Sequence, residues 1–365
     1  MIALLVVSFL VSVLAVSWLV RGARRHAAGY AADLPQRFHH GDVPRVGGLG
    51  ILAGLGVAWF AASGRSGAFL GVAWPLAMSA LTFACLLPAV LGAAAEDLTQ
   101  RVSVRWRLAL TLTSAGLLCW LLGLRIERLD VPGLDALFAM GPLLPFAFAV
   151  FAIGGLPHAF NLIDGYNGLA SAVAMLICLA IAHVALQMGD RQLAAMVLCL
   201  VGATAGFFVW NYPRGKIFAG DSGAYVWGLV IAVACVALVQ RHPVISPWFP
   251  ILLLIYPVWE TLFSIYRKLA RGRSPGTADA LHFHQLIFRR IVRSAVDEEE
   301  RRAMLSRNNR TSPYLWVFCA AAVVPAVLFR TNTPMLMLVT ALFVVTYVTA
   351  YLLIVRFKVP RWLRA

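Results

Sequence analysis

The sequence predicts an all-α polytopic integral membrane protein with about 11 transmembrane helices. Three observations predict this class: 61% of the 365 residues are hydrophobic, only 13% are charged, and the mean hydropathy is +0.80. A soluble domain carries about 25% charged residues, and a membrane-spanning helix needs roughly 20 apolar residues. Eleven such stretches account for most of the chain. We therefore exclude a soluble globular enzyme, a secreted disulfide scaffold and a disordered protein.

The predicted spans follow one another along the chain, mostly with short polar loops between them. They cover residues 2–20, 46–62, 69–94, 106–124, 137–157, 168–187, 193–211, 223–240, 246–264, 313–330 and 335–355. The first is too long and uninterrupted for a signal-peptide core, so we expect a retained helix. We expect residues 1–365 to form a single transmembrane domain, in which the long basic loop 265–312 carries a helix at the membrane surface.

The 31 Lys and Arg residues are distributed unevenly between the two sides of these spans. Loops after odd-numbered spans hold 21 of them, loops after even-numbered spans hold six, and the tail holds four. Cytoplasmic loops are enriched in Lys and Arg, which predicts an outside N-terminus and a cytoplasmic C-terminus. The net charge of +15 also favours contact with the anionic headgroups of a lipid bilayer. No basic module typical of nucleic-acid binding is present.

The cysteines predict no chemistry. All six lie inside the predicted spans and none has metal-ligand spacing, so we expect them to be core residues. They are Cys85, Cys119, Cys178, Cys199, Cys235 and Cys319.

A first polar cluster, residues 33–48, precedes and overlaps the start of the second span. Its prolines and its paired glycines predict a shaped turn at the membrane edge. His39 and Arg45 are candidates for contact with phosphates. The alternative is an ordinary basic loop next to the membrane.

A second cluster, Glu96-Asp97, ends the third span. Adjacent carboxylates at a membrane boundary are unfavourable unless they meet cations. The alternative to a functional site is a solvated helix end that pairs with Arg101 or Arg105.

Two further clusters combine carboxylates with glycines. Asn161 and Asp164 are three residues apart and share a face if they lie on a helical turn. Their loop contains no Lys or Arg, so a bound cation is the natural partner for Asp164. Asp221 lies at a predicted helix start, which is typical of a metal or phosphate site. The alternative for the Asn161–Asp164 cluster is an Asx-type turn, and the alternative for Asp221 is an N-cap.

The fifth cluster, residues 279–285, lies in the long basic loop. His282 and His284 share a ligand only if the backbone between them is extended. Apolar residues at 283, 286, 287 and 291 with arginines between them form an interfacial amphipathic pattern. The alternatives are contact with lipid headgroups and a helix that simply lies on the membrane.

All five clusters follow odd-numbered spans, on the predicted cytoplasmic face. One site there would combine oxygen ligands for a hard divalent cation with Arg and His side chains for phosphate. A soluble phosphate donor could meet a lipid at such a site.

This ordered set of motifs resembles the polyprenyl-phosphate N-acetylhexosamine-1-phosphate transferases, in glycosyltransferase family 4. The motifs are residues 33–48, Glu96-Asp97, residues 161–168, residues 220–223 and His282-Phe283-His284. The His-x-His form resembles the UDP-GlcNAc:undecaprenyl-phosphate branch more than the phospho-N-acetylmuramoyl-pentapeptide branch. Departures from the usual pattern occur at four positions: Glu96, His158, Asn167 and Gln285.

The resemblance implies a reaction. A UDP-N-acetylhexosamine would donate its sugar 1-phosphate to undecaprenyl phosphate and release UMP, initiating a cell-surface polysaccharide such as O-antigen or capsule. The enzyme would lie in the bacterial cytoplasmic (inner) membrane with its active site on the cytoplasmic face. Whether it forms a homodimer is left open.

The resemblance also implies roles for residues. It implies Mg²⁺, with Mn²⁺ as the alternative, on Asp221 with Asn161 as helper. It places Asp97, with Glu96, near the lipid phosphate, and Asp164 near the nucleotide or the metal. The implied substrate-binding residues are Asn167 and Phe218 for the uracil, His282 and His284 for the donor phosphates, and Arg45, His39 and Arg101.

The implied mechanism is an in-line attack of the lipid phosphate on the donor. A phosphate monoester is mostly dianionic at neutral pH, so we expect Asp97 to orient the nucleophile more than to deprotonate it. Two other functions stay open, the muramoyl-pentapeptide transferase and a lipid or solute transporter. A transporter typically has ionisable groups near the bilayer midplane, and Glu260 is the main such residue in spans three to nine.

Overall fold

The computed structural model describes residues 1–22, 43–64, 72, 74–272, 274, 281–292 and 300–356, and these form fourteen α-helices. In chain order the helices are α1 (Ile2–Gly22), α2 (Gly47–Ala61), α3 (Leu76–Thr99), α4 (Val104–Leu122), α5 (Pro132–Phe138), α6 (Leu143–Ile163), α7 (Leu169–Gln187), α8 (Arg191–Asn211), α9 (Gly220–Arg241), α10 (Trp248–Leu253), α11 (Ile255–Leu269), α12 (Phe283–Arg290), α13 (Glu300–Leu328) and α14 (Thr333–Val355). Within these ranges, extended pairing is limited to one bridge between Ser63 and Trp74. The all-α prediction is confirmed.

Among the described residues, eight helices are long and apolar enough to cross a membrane. They are α1, α3, α6, α7, α8, α9, the Asn308–Leu328 part of α13, and α14. The chain is therefore a multi-pass membrane protein. Helices also occupy the other three predicted spans, as α2, α4 and the pair α10 and α11. The count of 11 crossings and the sidedness remain predictions.

The predicted span 246–264 is two helices rather than one. The break lies at Leu254, between α10 and α11. Pro257 has no N–H to donate to the carbonyl of Leu253, so the α-helical ladder is interrupted there.

Helix α9 is the central element of the bundle. Sixteen of its 22 residues are buried, and it packs against α2, α3, α6, α7 and α8. A helix that is apolar all round lies either in the interior of a protein or in a membrane, and protein covers most of α9. By contrast, α1 buries a single stripe and packs on α2 and α8. The first residues of α9 are therefore held in place by several neighbouring helices.

Small residues let α1 approach its neighbours. A Cβ atom on Gly202 or Gly206 of α8 would collide with the backbone of α1. Membrane helices pack by such close backbone contact because lipid supplies no hydrophobic drive between them.

Helix α12 packs its apolar face on the protein itself. Phe283, Leu286, Ile287 and Ile291 are all buried, and the helix contacts α13 and α14. The apolar face of this pattern is thus covered by α13 and α14, and the location of the helix at the membrane surface remains a prediction. Sequence periodicity reports an apolar face but not what covers it.

Candidate active site

The structure brings Asp221 and Asn161 together at one end of the bundle. The Asn161 amide Nδ2 donates to Asp221 Oδ1 at 2.7 Å. The second carboxylate oxygen, Oδ2, forms an ion pair with Arg107. Since these residues come from α4, α6 and α9, three helices converge on one carboxylate.

Arg107 is a site residue that sequence reasoning missed. In the sequence, Arg107 was counted only as one of the basic residues of the loops. It nevertheless lies inside the predicted span 106–124, and an arginine inside a span is itself a signal of a functional site.

A second polar layer lies one helical turn deeper on the same three helices. His158 Nε2 is 3.0 Å from Thr111 Oγ1, and His158 Nδ1 is 3.4 Å from the Tyr225 hydroxyl. Residues three or four apart share a helix face, so this layer lies beneath Arg107, Asn161 and Asp221. His158, a departure from the usual pattern, thus occupies a defined structural position.

Asp97 caps the N-terminus of α9. The residue is only 4% exposed, and its carboxylate accepts the backbone N–H groups of Asp221 at 2.8 Å and Ser222 at 2.9 Å. The N-cap residue, Ala219, makes no side-chain cap hydrogen bond. The alternative in which Asp221 is itself the N-cap is therefore wrong: Asp221 lies in the first turn, and Asp97 supplies the cap from α3.

Glu96 and Arg101 lie on the rim of this cluster. Glu96 Oε2 accepts the backbone N–H of Val102 at 2.7 Å, which stabilises the turn after α3. Arg101 is exposed, and its backbone N–H donates to Thr99 Oγ1 at 3.3 Å. Their predicted contacts with substrate remain predictions.

Asp164 ends α6 beside the same cluster. Burial, followed by the nearby negative charge of Asp221, raises the pKa of this carboxyl to about 7, although Arg45 opposes the shift. Electrostatics thus link Asp164 to Asp221. A cation placed between two such carboxylates would favour their charged forms.

The described part of the first cluster lies against the start of α9. Phe218 N–H donates to the Pro44 carbonyl at 2.8 Å, and Gly47 N–H donates to the Phe218 carbonyl at 2.9 Å. This pairing brings Arg45 next to Gly220, whose φ is +71°. His39 lies outside the described residues.

Asn167 is buried and tied to α13. Its backbone N–H donates to Asn308 Oδ1 at 2.9 Å, its Nδ2 donates to Asn309 Oδ1 at 3.0 Å, and its carbonyl accepts the Ser312 hydroxyl at 2.6 Å. Among the described residues its Oδ1 has no hydrogen-bond partner. One acceptor thus remains for a ligand. Sequence reasoning did not single out Asn308 or Asn309.

His282 and His284 form a stacked pair at the start of α12. His282 is the N-cap, with extended backbone, and the ring centroids are 5.4 Å apart with planes inclined by 7°. The histidine pair lies against the Asp164 turn, because the ring of His284 is 5.5 Å from that of Tyr166. Burial lowers the pKa of His284 to about 3. This ring is therefore neutral at pH 7 and can offer a hydrogen bond but no positive charge.

The described residues contain no group of three or more His, Cys, Asp or Glu side chains placed to hold a metal ion. Mg²⁺ commonly binds one or two protein carboxylates, with water and substrate phosphates completing its shell. The donor set at Asp221 fits that pattern, and Arg107 shows that this carboxylate already attracts a cationic group.

Comparison with known proteins shows what the site-bearing part of the chain is similar to. The sequence model described as "Glycosyl transferase family 4" matches residues 77–239. A "Probable undecaprenyl-phosphate N-acetylglucosaminyl 1-phosphate transferase" of Bacillus subtilis is 29% identical over 77% of this chain and 76% of its own length. Over residues 77–239 the chain is therefore similar to glycosyl transferase family 4.

Two further relatives carry similar names. A "Decaprenyl-phosphate N-acetylglucosaminephosphotransferase" of Mycolicibacterium smegmatis is 27% identical over 76% of this chain and 70% of its own length. An "Undecaprenyl-phosphate alpha-N-acetylglucosaminyl 1-phosphate transferase" of Escherichia coli K12 is 26% identical over 69% of this chain and 66% of its own.

The region matched to glycosyl transferase family 4 contains the carboxylate cluster but not the histidine pair. Asp97, Asp164 and Asp221 fall within residues 77–239, whereas Arg45, His282 and His284 fall outside. The structure joins the two parts of the site through the contact of His284 with Tyr166.

Proposed function

We propose that this protein transfers N-acetylglucosamine 1-phosphate from a UDP-sugar to undecaprenyl phosphate, with release of UMP. The single observation that carries the proposal is the convergence of Arg107, Asn161, Asp97 and Asp164 on Asp221 at one end of a membrane bundle. The names of the relatives supply the substrate classes. The transfer would initiate a cell-surface polysaccharide at the cytoplasmic face of the bacterial inner membrane.

We propose Mg²⁺ as the cofactor, held by Asp221 with Asn161 beside it. When bound, the ion would neutralise charge on the donor pyrophosphate. Asp221 is held in place for this by the cap that Asp97 provides at α9. Mn²⁺ would serve as its experimental substitute.

The chain's own residues supply the other requirements of phosphoryl transfer, which are positioning and charge neutralisation. Arg107 and Arg45 carry positive charge beside the carboxylates, at the place where phosphates would meet them. His284 contributes a neutral imidazole. Asp97 accepts two backbone N–H groups at the start of α9. Any action of Asp97 on the acceptor would therefore take place while its carboxylate keeps these two hydrogen bonds.

The outer surface of α4 suits the approach of a lipid acceptor. Val104, Trp106 and Leu108 are exposed apolar side chains on the helix that carries Arg107. A polyprenyl chain lying along this surface would bring its phosphate to the level of Arg107.

UMP release tests the proposal. Purified full-length protein in vesicles would receive undecaprenyl phosphate, Mg²⁺ and one UDP-sugar at a time, including UDP-N-acetylmuramoyl-pentapeptide. We expect release with UDP-N-acetylglucosamine that requires lipid and metal. Asp221→Asn should lower it about 100-fold or more, a loss typical for one electrostatic group at a reacting centre.

Asp190→Asn is the matched control, because Asp190 is also at a helix start, where it accepts the Leu193 N–H and pairs with Arg241 away from the site. It should leave UMP release unchanged. Absence of release with every donor, together with absence of Mn²⁺ binding, would overturn the proposal and favour a transporter.

A further inference from the structure

Glu260 is a buried carboxylate on α11, and the proposed reaction does not use it. It is 1% exposed. Its Oε1 accepts the Phe283 N–H at 3.0 Å and lies 3.3 Å from His282 Nδ1, and its Oε2 accepts the Tyr347 hydroxyl at 2.6 Å. The carboxylate thus fixes the first residues of α12 from a neighbouring helix.

The burial of a carboxylate in a membrane bundle is costly unless hydrogen-bonded or charged partners compensate it. Apolar packing also holds α12, since Phe283, Leu286 and Ile287 are buried and the helix contacts α13 and α14. Glu260 adds a constraint on the orientation of the His282 ring. A carboxylate at Nδ1 of a histidine favours the proton on that nitrogen and fixes the orientation of the ring.

A continuous series of contacts runs from Glu260 to the Asp164 turn. The ring of His282 stacks on that of His284 at 5.4 Å, and the ring of His284 meets that of Tyr166 at 5.5 Å. A Cβ atom added to Gly165 would lie 3.0 Å from His284 Nε2. The histidine pair therefore lies directly against the residue that follows Asp164.

We propose that Glu260 is a positioning residue for the nucleotide donor. It would hold the His282–His284 pair against residues 164–166, and through that pair it would set the affinity for the diphosphate of a nucleoside diphosphate sugar. The inference rests on the proposed function, since it names a residue that serves the same site. It assigns Glu260 no contact with substrate.

The chain offers a matched control on the same carboxylate. Tyr347→Phe removes the hydrogen bond to Oε2 and leaves the oxygen that faces His282. Glu260→Gln keeps the shape of the side chain and removes its charge. If Glu260 only supported packing, the two variants would behave alike.

The experiment measures UDP binding without acceptor, together with the KM of each substrate in UMP release, on full-length protein in vesicles. Partners that orient an imidazole are typically worth about 10- to 100-fold in affinity. We expect Glu260→Gln to weaken UDP binding and raise the donor KM about tenfold, within this range. Acceptor KM should stay unchanged, and Tyr347→Phe should have little effect on either KM. Equal effects of Glu260→Gln and Tyr347→Phe, or equal changes in the two KM values, would overturn the proposal.

A double variant separates positioning from loss of fold. Glu260→Gln combined with His282→Asn should be no worse than the poorer single variant, because both act through one path. Additive losses in affinity would overturn the proposal. If the Glu260→Gln variant does not fold, Glu260→Asp replaces it. If wild-type protein binds UDP but releases no UMP, the proposed function fails while the binding comparison still decides the role of Glu260. If wild-type protein binds no UDP, both fail.

Discussion

Asp97 and Glu260 perform the same structural task in two different regions. Each is a buried carboxylate that accepts backbone N–H at the start of another helix: Asp97 accepts two such groups at α9, and Glu260 accepts one at α12. The first turn of a helix has N–H groups without partners inside the helix. In both places a neighbouring helix supplies the acceptor, so the start of a site-bearing helix is tied to the bundle.

The two carboxylates differ in their surroundings along the chain. Asp97 stands beside Glu96 at a helix end, within a visible polar cluster. Glu260 stands alone among apolar residues of α11, and its partners lie 23 and 87 positions away. The local sequence therefore indicates a role for Asp97 but none for Glu260.

The largest effect in this comparison is expected at Asp97. Asp97→Asn replaces one acceptor oxygen with an NH₂ group that faces a buried N–H. An unsatisfied buried group costs about 1–3 kcal/mol, and UMP release should fall more than about tenfold because Asp221 depends on this cap. UMP release and the thermal unfolding midpoint are both measured, with Asp190→Asn as control. A loss well below tenfold would remove Asp97 from a catalytic role.

Gly220→Ala perturbs the same cap from the other side. Gly220 has φ +71°, and its Cβ would lie 2.5 Å from Asp97 Oδ1. Positive φ and the close approach together should cost about 1–3 kcal/mol of unfolding free energy. Gly123→Ala is the control, with φ +63° and no atom within 4 Å of the added Cβ. If both variants have equal midpoints and equal activity, the close packing at Gly220 is unimportant.

Arg107→Gln tests whether Arg107 competes with the proposed metal. Loss of the guanidinium frees Asp221 Oδ2, so Mn²⁺ should bind roughly threefold more tightly while UMP release falls. Electron paramagnetic resonance of Mn²⁺ measures this affinity without turnover. Arg105→Gln, at an exposed neighbour, should leave it unchanged. Weaker Mn²⁺ binding in Arg107→Gln would show that Arg107 supports the cation site.

The smallest effect concerns the neutral histidine beside Glu260. Burial, partly offset by Glu260, lowers the pKa of His284 to about 3, whereas a histidine in an unfolded chain has a pKa near 6.5. As pH falls below 6.5 the unfolded chain takes up a proton that folded His284 does not. Stability should therefore fall by about 1 kcal/mol between pH 7 and pH 5.5.

The thermal midpoint at several pH values measures this loss, and His284→Gln should reduce it. His183→Gln, at an exposed position on α7, serves as the control. An identical pH dependence in wild type and His284→Gln would contradict a buried neutral ring.

Sequence reasoning identified the residues whose chemistry can be inferred from their immediate neighbours in the sequence. Asn161 and Asp221, chosen from separate loops, form a hydrogen bond in the structure. Arg107 and the Thr111–His158–Tyr225 layer were missed, because helical spacing shows which residues share a face but not which helices meet there. The packing of α12 on α13 and α14 was not predicted for the same reason, since an apolar stripe does not identify its partner.

The amino-acid sequence by itself determined that this is an α-helical membrane protein, because long apolar stretches and few charges are a local property of the chain. It also determined which polar clusters interrupt those stretches. Only the tertiary structure decided which side chains neutralise Asp221, which carboxylate caps α9 and what orients the histidine pair. Those outcomes depend on contacts between residues more than 20 positions apart, and packing of the helices alone brings such residues within hydrogen-bonding distance.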